Sequence, residues 1–188
     1  CPEDTSNVIS VYVYPLIGDN LMGNDQTICS GSIPFVLTGT LPTGGNGTYT
    51  YVWESSINNT GWLIVSGASQ NDYAVPALTA SAYYRRIIIS GNCPNDTTLA
   101  VFILVEPPAS PNIISADQTL CYLTQPNQIT GTLPTGGNGV YVYTWQSSLD
   151  QISWNGITSE TNQHYTPSTL TQITYYRRLL SSGVCPED

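Results

Sequence analysis

The chain has 188 residues, a formal charge of −9 and only 9% charged side chains. That acidic balance excludes a phosphate-binding surface for nucleic acid or for anionic membranes. The low charge density excludes a charge-swollen disordered segment.

There is no lysine, and the basic residues are the two pairs Arg85–Arg86 and Arg177–Arg178. Lys–Asn isopeptide crosslinks are therefore impossible, and lysine cannot guard a sheet edge. No apolar run approaches the ~18–20 residues that span a bilayer as a helix. The sequence opens at Cys1 without a signal-peptide pattern, which fits a mature or excised extracellular piece.

In chain order, the first element is "TSNVISVYVYP" at Thr5–Pro15, whose alternation reads as a strand. Turn signals follow at "SGSIP" and "PTGGNG". "TYTYVWESS" at Thr48–Ser56 alternates aromatic and polar residues. It predicts a half-buried strand with Tyr49, Tyr51 and Trp53 packed in the core. "AYYRRIIIS" at Ala82–Ser90 predicts a second long strand and "TTLAVFILVEP" at Thr97–Pro107 a third. Helical periodicity is absent throughout.

The pattern then repeats. "TGTLPTGGNG" stands at Thr38–Gly47 and again at Thr130–Gly139, 92 positions on. Cys29 and Cys121, Trp53 and Trp145, Trp62 and Trp154, and the two Tyr-Tyr-Arg-Arg strings keep the same offset. A domain-sized period means an array of small domains rather than a solenoid. About seven short strands per period predict an all-β fold of tandem, antiparallel immunoglobulin-like β-sandwich domains in a linear array.

The closing strand of each sandwich comes last. Residues 16–107 thus form one domain and 108–188 a second that lacks its own closing strand, while 1–15 is the closing strand of a preceding domain. Comparing Thr5–Pro15 with Thr97–Pro107 places Ile9, Val11 and Val13 with Val101, Ile103 and Val105 in the core. Phe102, Leu104 and Glu106 then face outward. "CPED" both opens and ends the sequence. Two readings follow: a slice of a longer array, or separate chains joined by addition of Thr5–Pro15 to a neighbour's unfinished sandwich. The four-residue overlap favours the slice.

Five cysteines at repeat-matched positions point to disulfides in an oxidising compartment. The simplest pairing is Cys29–Cys93 and Cys121–Cys185, with Cys1 left to a preceding domain. Each bridge would contribute roughly 4 kcal/mol by loop entropy. Sandwich topology sets the first turn and the last hairpin at opposite ends, so a Cys29–Cys185 bridge between successive domains is the alternative.

"QTICSGS", "LTGTLPTGGNGTYTYVWESS", the Tyr-x-Trp positions and "YYRR" resemble the tandem Ig-like repeats of large surface adhesins of Bacteroidota. Gliding-motility adhesins and related filaments exported by type IX secretion belong to that group. The resemblance implies a structural or adhesive role at the cell surface, without catalysis in the repeats.

Asn46, Asn58 and Asn95 fit the N-x-S/T glycosylation acceptor, and Asp96-Thr97-Thr98 makes Thr97 a candidate for bacterial O-glycosylation. An alternative function is carbohydrate binding, with Trp62 and Trp154 as stacking platforms and their exposure as the discriminating observation. Catalysis finds no support. The acids are scattered rather than paired as glycoside hydrolysis needs, and the single histidine, His164, matches Asp72 in the other copy. The "GGNG" loop opens a strand and lacks the lysine of a phosphate cradle. Zinc has no ligand set, no cofactor is expected, and calcium at the domain junctions would fall to Asp19, Asp25 or Asp117. Partners are neighbouring copies of the repeat and, on the alternative reading, surface polysaccharide.

Overall fold

A computed structural model describes residues 1–187. The described residues contain no helix and nine strands: β1 (Gln26–Cys29), β2 (Thr50–Ser56), β3 (Leu63–Ile64), β4 (Ala82–Ile89), β5 (Asp96–Thr97), β6 (Val101–Glu106), β7 (Val142–Ser148), β8 (Asn155–Gly156) and β9 (Tyr175–Ser181). The fold is all-β, and the strand pairs with a defined register are antiparallel.

One sheet runs β1-β6-β4-β2-β3, with β5 on β4; the other runs β8-β7-β9. The repeat is carried into the register. Trp53 lies opposite Arg86 on β2–β4, and Trp145 opposite Arg178 on β7–β9. Isolated bridges keep the same offset: Gly18–Thr43, Met22–Gly39 and Leu37–Tyr73 in the first copy, Ser110–Thr135, Ile114–Gly131 and Ile129–Tyr165 in the second.

The chain divides into two compact units that do not coincide with the two sequence copies. The first comprises Cys1–Gln26, Phe35–Val75 and Ala82–Phe102; the second comprises Thr27–Pro34, Pro76–Ser81 and Ile103–Asp188.

In the first unit Trp53 is fully buried, and its Nε1–H donates to the Gln70 carbonyl at 2.9 Å. Tyr73, held by its bridge to Leu37, packs its ring 5.5 Å from the indole and 6.0 Å from Tyr84. Burial pushes the Tyr73 and Tyr84 hydroxyls above their ordinary range. The second unit repeats the stack with Trp145, Tyr165 and Tyr176. An indole of ~200 Å² removed from water contributes about 5 kcal/mol, which makes the aromatic stack the main apolar anchor of each unit.

The core also holds a charge that strand alternation alone did not suggest. Arg86 has no exposure, because it shares the inward parity of Tyr84 and Ile88 on β4. Its Nε–H and an Nη2–H donate to Asn20 Oδ1 at 3.1 and 2.8 Å. Nη1 donates to the Asn71 carbonyl and Oδ1 at 2.9 and 2.8 Å, and Nη2 also to the Thr40 carbonyl at 3.0 Å. Burial pulls its pKa below the ordinary guanidinium value, opposed by Tyr51, Asp72 and Asp96. Arg178 repeats the arrangement on Asn112 Oδ1 and the Gln163 and Thr132 carbonyls.

This explains part of the doubled string. A Cβ at Gly39 or Gly131 would fall on the Nη1 of Arg86 or Arg178, so no side chain fits there.

The expected faces of β6 are corrected. Val101 and Ile103 are buried, but Val105 is only half-buried and Glu106 is buried. Glu106 turns inward because its carboxylate accepts the Val184 N–H at 3.1 Å. Ile9, Val11 and Val13 are 76, 79 and 88% exposed. No strand is formed over residues 1–15, so nothing covers their apolar face.

Candidate functional site

The turn that follows Cys29 is fastened by Ser32 N–H to the Cys29 carbonyl (3.0 Å) and by Gly31 N–H to Leu78 O and Leu78 N–H to Ser32 O (2.7 and 3.1 Å). The turn after Cys121 has the same three bonds: Thr124 N–H to Cys121 O, Leu123 N–H to Leu170 O and Leu170 N–H to Thr124 O. The two cysteines thus stand in the same local geometry, yet Cys29 is 7% exposed and Cys121 is exposed.

The difference is a strand. In the first copy β6 runs between β1 and β4, with Val105 N–H donating to Ser81 Oγ at 2.9 Å and the Glu106 carbonyl accepting Ser30 N–H at 2.8 Å. In the second copy the matching place is an open groove lined by Gln118–Tyr122 and Leu170–Thr174. β9, the counterpart of β4, is the last strand of its sheet. Gln118–Cys121, the counterpart of β1, forms no strand, because a short segment needs a ladder neighbour to hold it extended. The groove mixes polar side chains, Gln118, Thr119, Thr171, Gln172 and Thr174, with exposed apolar ones: Leu120, Tyr122 and Ile173 are 39, 72 and 75% exposed.

Residues 5–15 are the sequence counterpart of β6, and no strand is formed over them. Pro15 is anchored by its carbonyl, which accepts Gly45 N–H at 2.9 Å, as Pro107 is by Gly137 N–H at 2.7 Å.

Cys29 is bonded to Cys185, with Cα atoms 4.8 Å apart, inside the range a disulfide requires. The expected Cys29–Cys93 and Cys121–Cys185 pairings are therefore corrected. Cys29 belongs to the first sequence copy but to the second compact unit, where the Cys185 hairpin meets the end of β6: Cys185 Sγ lies 3.5 Å from the Glu106 carbonyl. Cys1, Cys93 and Cys121 carry free thiols in this chain.

The remaining sequence candidates have structural partners. Trp62 and Trp154 are half-buried, each with a guanidinium over one face, Arg85 at 4.1 Å and Arg177 at 4.3 Å. Arg85 also pairs with Glu54 at 2.6 Å, and Arg177 donates to Gln146 Oε1 at 2.7 Å. Asn46 Oδ1 accepts Thr48 N–H and the Ser90 hydroxyl at 2.9 Å each, closing the "GGNG" turn. Asn95 and Thr97 are exposed, Thr97 at the end of β5.

Asn58 Oδ1 accepts the N–H groups of Thr60 and Gly61. Asp150 does the same for Ile152 and Ser153 in the second copy, so capping this turn is what the position has in common. Those backbone bonds hold the Asp150 carboxyl at about 2, below its usual 3.8. A depressed carboxylate stabilises the fold above its ordinary pKa, and that contribution is lost as pH falls through about 2. Asp150→Asn should keep the turn, as Asn58 does, and abolish the titration. Ile152 and Ser153 amide shifts, followed by NMR from pH 5 downward, should show a midpoint near 2 only in the wild type.

His164 Nδ1 accepts Gly131 N–H at 3.0 Å, as Asp72 Oδ1 accepts Gly39 N–H at 2.9 Å. The histidine is a turn acceptor with its proton on Nε2. Asp19 accepts the Thr43 hydroxyl and Asp25 the Phe102 N–H. Among the described residues no three His, Cys, Asp or Glu side chains gather as a metal group.

Fold and site together define an all-β chain with an open groove beside β9. Residues 19–107 and 110–188 each match the family described as a domain of unknown function, DUF8696, and the chain belongs to that family. No curated protein matches the chain.

Proposed function

We propose that this chain is a structural, adhesive module of an extracellular surface filament or stalk, built of Ig-like sandwiches in series and performing no catalysis. The observation that carries the reading is the complementarity of the groove beside β9 and the exposed strand-like segment Thr5–Pro15. Each such segment would close the sandwich of a neighbouring copy, within one longer array or by strand addition from an adjacent subunit, burying Ile9, Val11 and Val13 as Val101 and Ile103 are buried in β6. Either way the copies follow one another head to tail, which propagates into a line rather than a closed pair. The Cys29–Cys185 disulfide suits an oxidising extracellular compartment.

Electron microscopy of the purified chain at rising concentration tests this reading, with linear rows of beads as the expected result and dispersed single particles as the contrary one. Replacing Ile9 and Val11 by aspartate should abolish the rows while leaving the melting temperature unchanged, because both side chains face solvent in the separate chain and charges cannot enter the apolar slot. Rows that persist in this variant would rule out strand addition as their basis.

A further inference from the structure

His164 is the only histidine of the chain, and it stands where the first copy has Asp72. Both side chains accept the N–H of the glycine that faces a buried arginine: Gly39 is 2.9 Å from Asp72 Oδ1, and Gly131 is 3.0 Å from His164 Nδ1. The two acceptors differ in one respect. A carboxylate keeps its lone pairs across the neutral range, whereas an imidazole loses its acceptor on taking a second proton. For histidine that step ordinarily falls between about pH 5 and 8. We propose that His164 is a pH-sensitive latch of the second unit, opened when protonation turns the acceptor of the Gly131 N–H into a donor.

The latch holds the segment 162–165 over the core. The Asn162 carbonyl accepts the Trp145 indole N–H at 2.9 Å. The Gln163 carbonyl accepts Arg178 Nη1 at 2.8 Å, and Gln163 Nε2 donates to the Gly131 carbonyl at 2.8 Å. Tyr165 exchanges backbone bonds with Ile129 and lays its ring 5.5 Å from Trp145. His164 thus sits mid-way along a strap that closes over the buried tryptophan and arginine. Two donors cannot share one bond, so the strap must shift when the ring is charged.

The added charge opposes the fold as well. Arg178 Nη1 packs so closely on Gly131 that a Cβ there would fall on it. The Tyr143 ring lies 4.7 Å beneath that guanidinium, and Tyr165 and Glu160 are on the segment of His164 itself. Among the described residues the one ion pair is Arg85–Glu54, so no carboxylate neutralises an imidazolium here. In the first copy, by contrast, the Asp72 charge favours the charged form of Arg86. The neutral ring keeps the bond and the charged ring loses it. The contribution to stability is therefore present at the upper end of the range and lost as pH falls.

Amide hydrogen exchange of the full chain at pH 8 and pH 5, corrected for the intrinsic pH dependence of exchange, tests the latch. Protection of Gly131 should fall about tenfold on acidification, the factor that an ordinary net hydrogen bond represents. Gly39, in the same sample, should keep its protection. His164→Asp installs the residue of the first copy and should hold Gly131 protected at both pH values, while Asp72→His should transfer the response to Gly39. Urea denaturation gives a second readout: the wild-type midpoint should drop further between the two pH values than that of His164→Asp. NMR of the imidazole nitrogens reports the charge on the ring. A ring still neutral at pH 5, or Gly131 protection that survives its protonation, would overturn the latch. So would equal losses at Gly39 and Gly131, an unresponsive Gly39 in Asp72→His, or equal midpoint shifts in the wild type and His164→Asp.

Discussion

Replacing Arg86 by leucine should lower the stability of the first unit by about 4 kcal/mol or more, even though leucine is the better core residue by hydrophobicity. The guanidinium donates to Asn20 Oδ1, to both oxygens of Asn71 and to the Thr40 carbonyl. Removing it leaves the buried Asn20 Oδ1 and the part-buried Asn71 and Thr40 acceptors without their donor, and each buried acceptor left without a donor costs about 1–3 kcal/mol. Lysine is no remedy, since one ammonium cannot span acceptors arranged around a planar fork. Against a typical total of about 5–15 kcal/mol, the loss is a large share. Urea denaturation read by tryptophan fluorescence would measure it. Arg85→Ala is the control: its pair with Glu54 is partly exposed, 29 and 14% for the two side chains, and such a pair contributes roughly 0–1 kcal/mol. Comparable losses in the two variants would refute the assignment of Arg86 as the buried hub.

The second large effect is expected from Cys29→Ser. The disulfide spans 156 positions, and on the chain-entropy account a loop of that length restricts the unfolded chain by about 5 kcal/mol. The variant should unfold at markedly lower denaturant, and wild-type protein treated with dithiothreitol should fall to the same midpoint. Thiol titration of the denatured wild type should count the three free cysteines, Cys1, Cys93 and Cys121, and one more in the variant. If Cys93 were instead the partner of Cys29, Cys93→Ser would cause the loss in stability.

Much of this architecture could be read before any coordinates. The alternation in Thr48–Ser56 and Ala82–Ser90 predicted β2 and β4 within two residues, and the fixed offset carried both to β7 and β9. The burial of Trp53 and Trp145 followed from their place mid-strand.

Arg86 was harder, because a charged residue inside a strand ordinarily points to water. Its signal lay in parity with Tyr84 and Ile88, and in the glycine retained at Gly39 and Gly131. Glu106 turned inward because a hairpin far along the chain, at Val184, supplies its donor, and no local pattern encodes that.

The disulfide was open for a related reason. Residues 27–34 and 76–81 pack with the second unit, so the covalent partner of Cys29 depends on how the copies interleave rather than on where the repeat begins. The groove beside β9, with Leu120, Tyr122 and Ile173 in its lining, emerged only from the structure.

The Cys29–Cys185 bond also decides how far this molecule can be drawn out by a pull on its two ends. Tension passes directly from residue 29 to residue 185, and everything enclosed between them is relieved of load whether or not its sheets stay folded. At ~3.4 Å per extended residue, the 156 positions it spans hold roughly 530 Å of chain that stays out of reach while the bond is intact. Reduction would release that length, turning a short inextensible strap into a long compliant one.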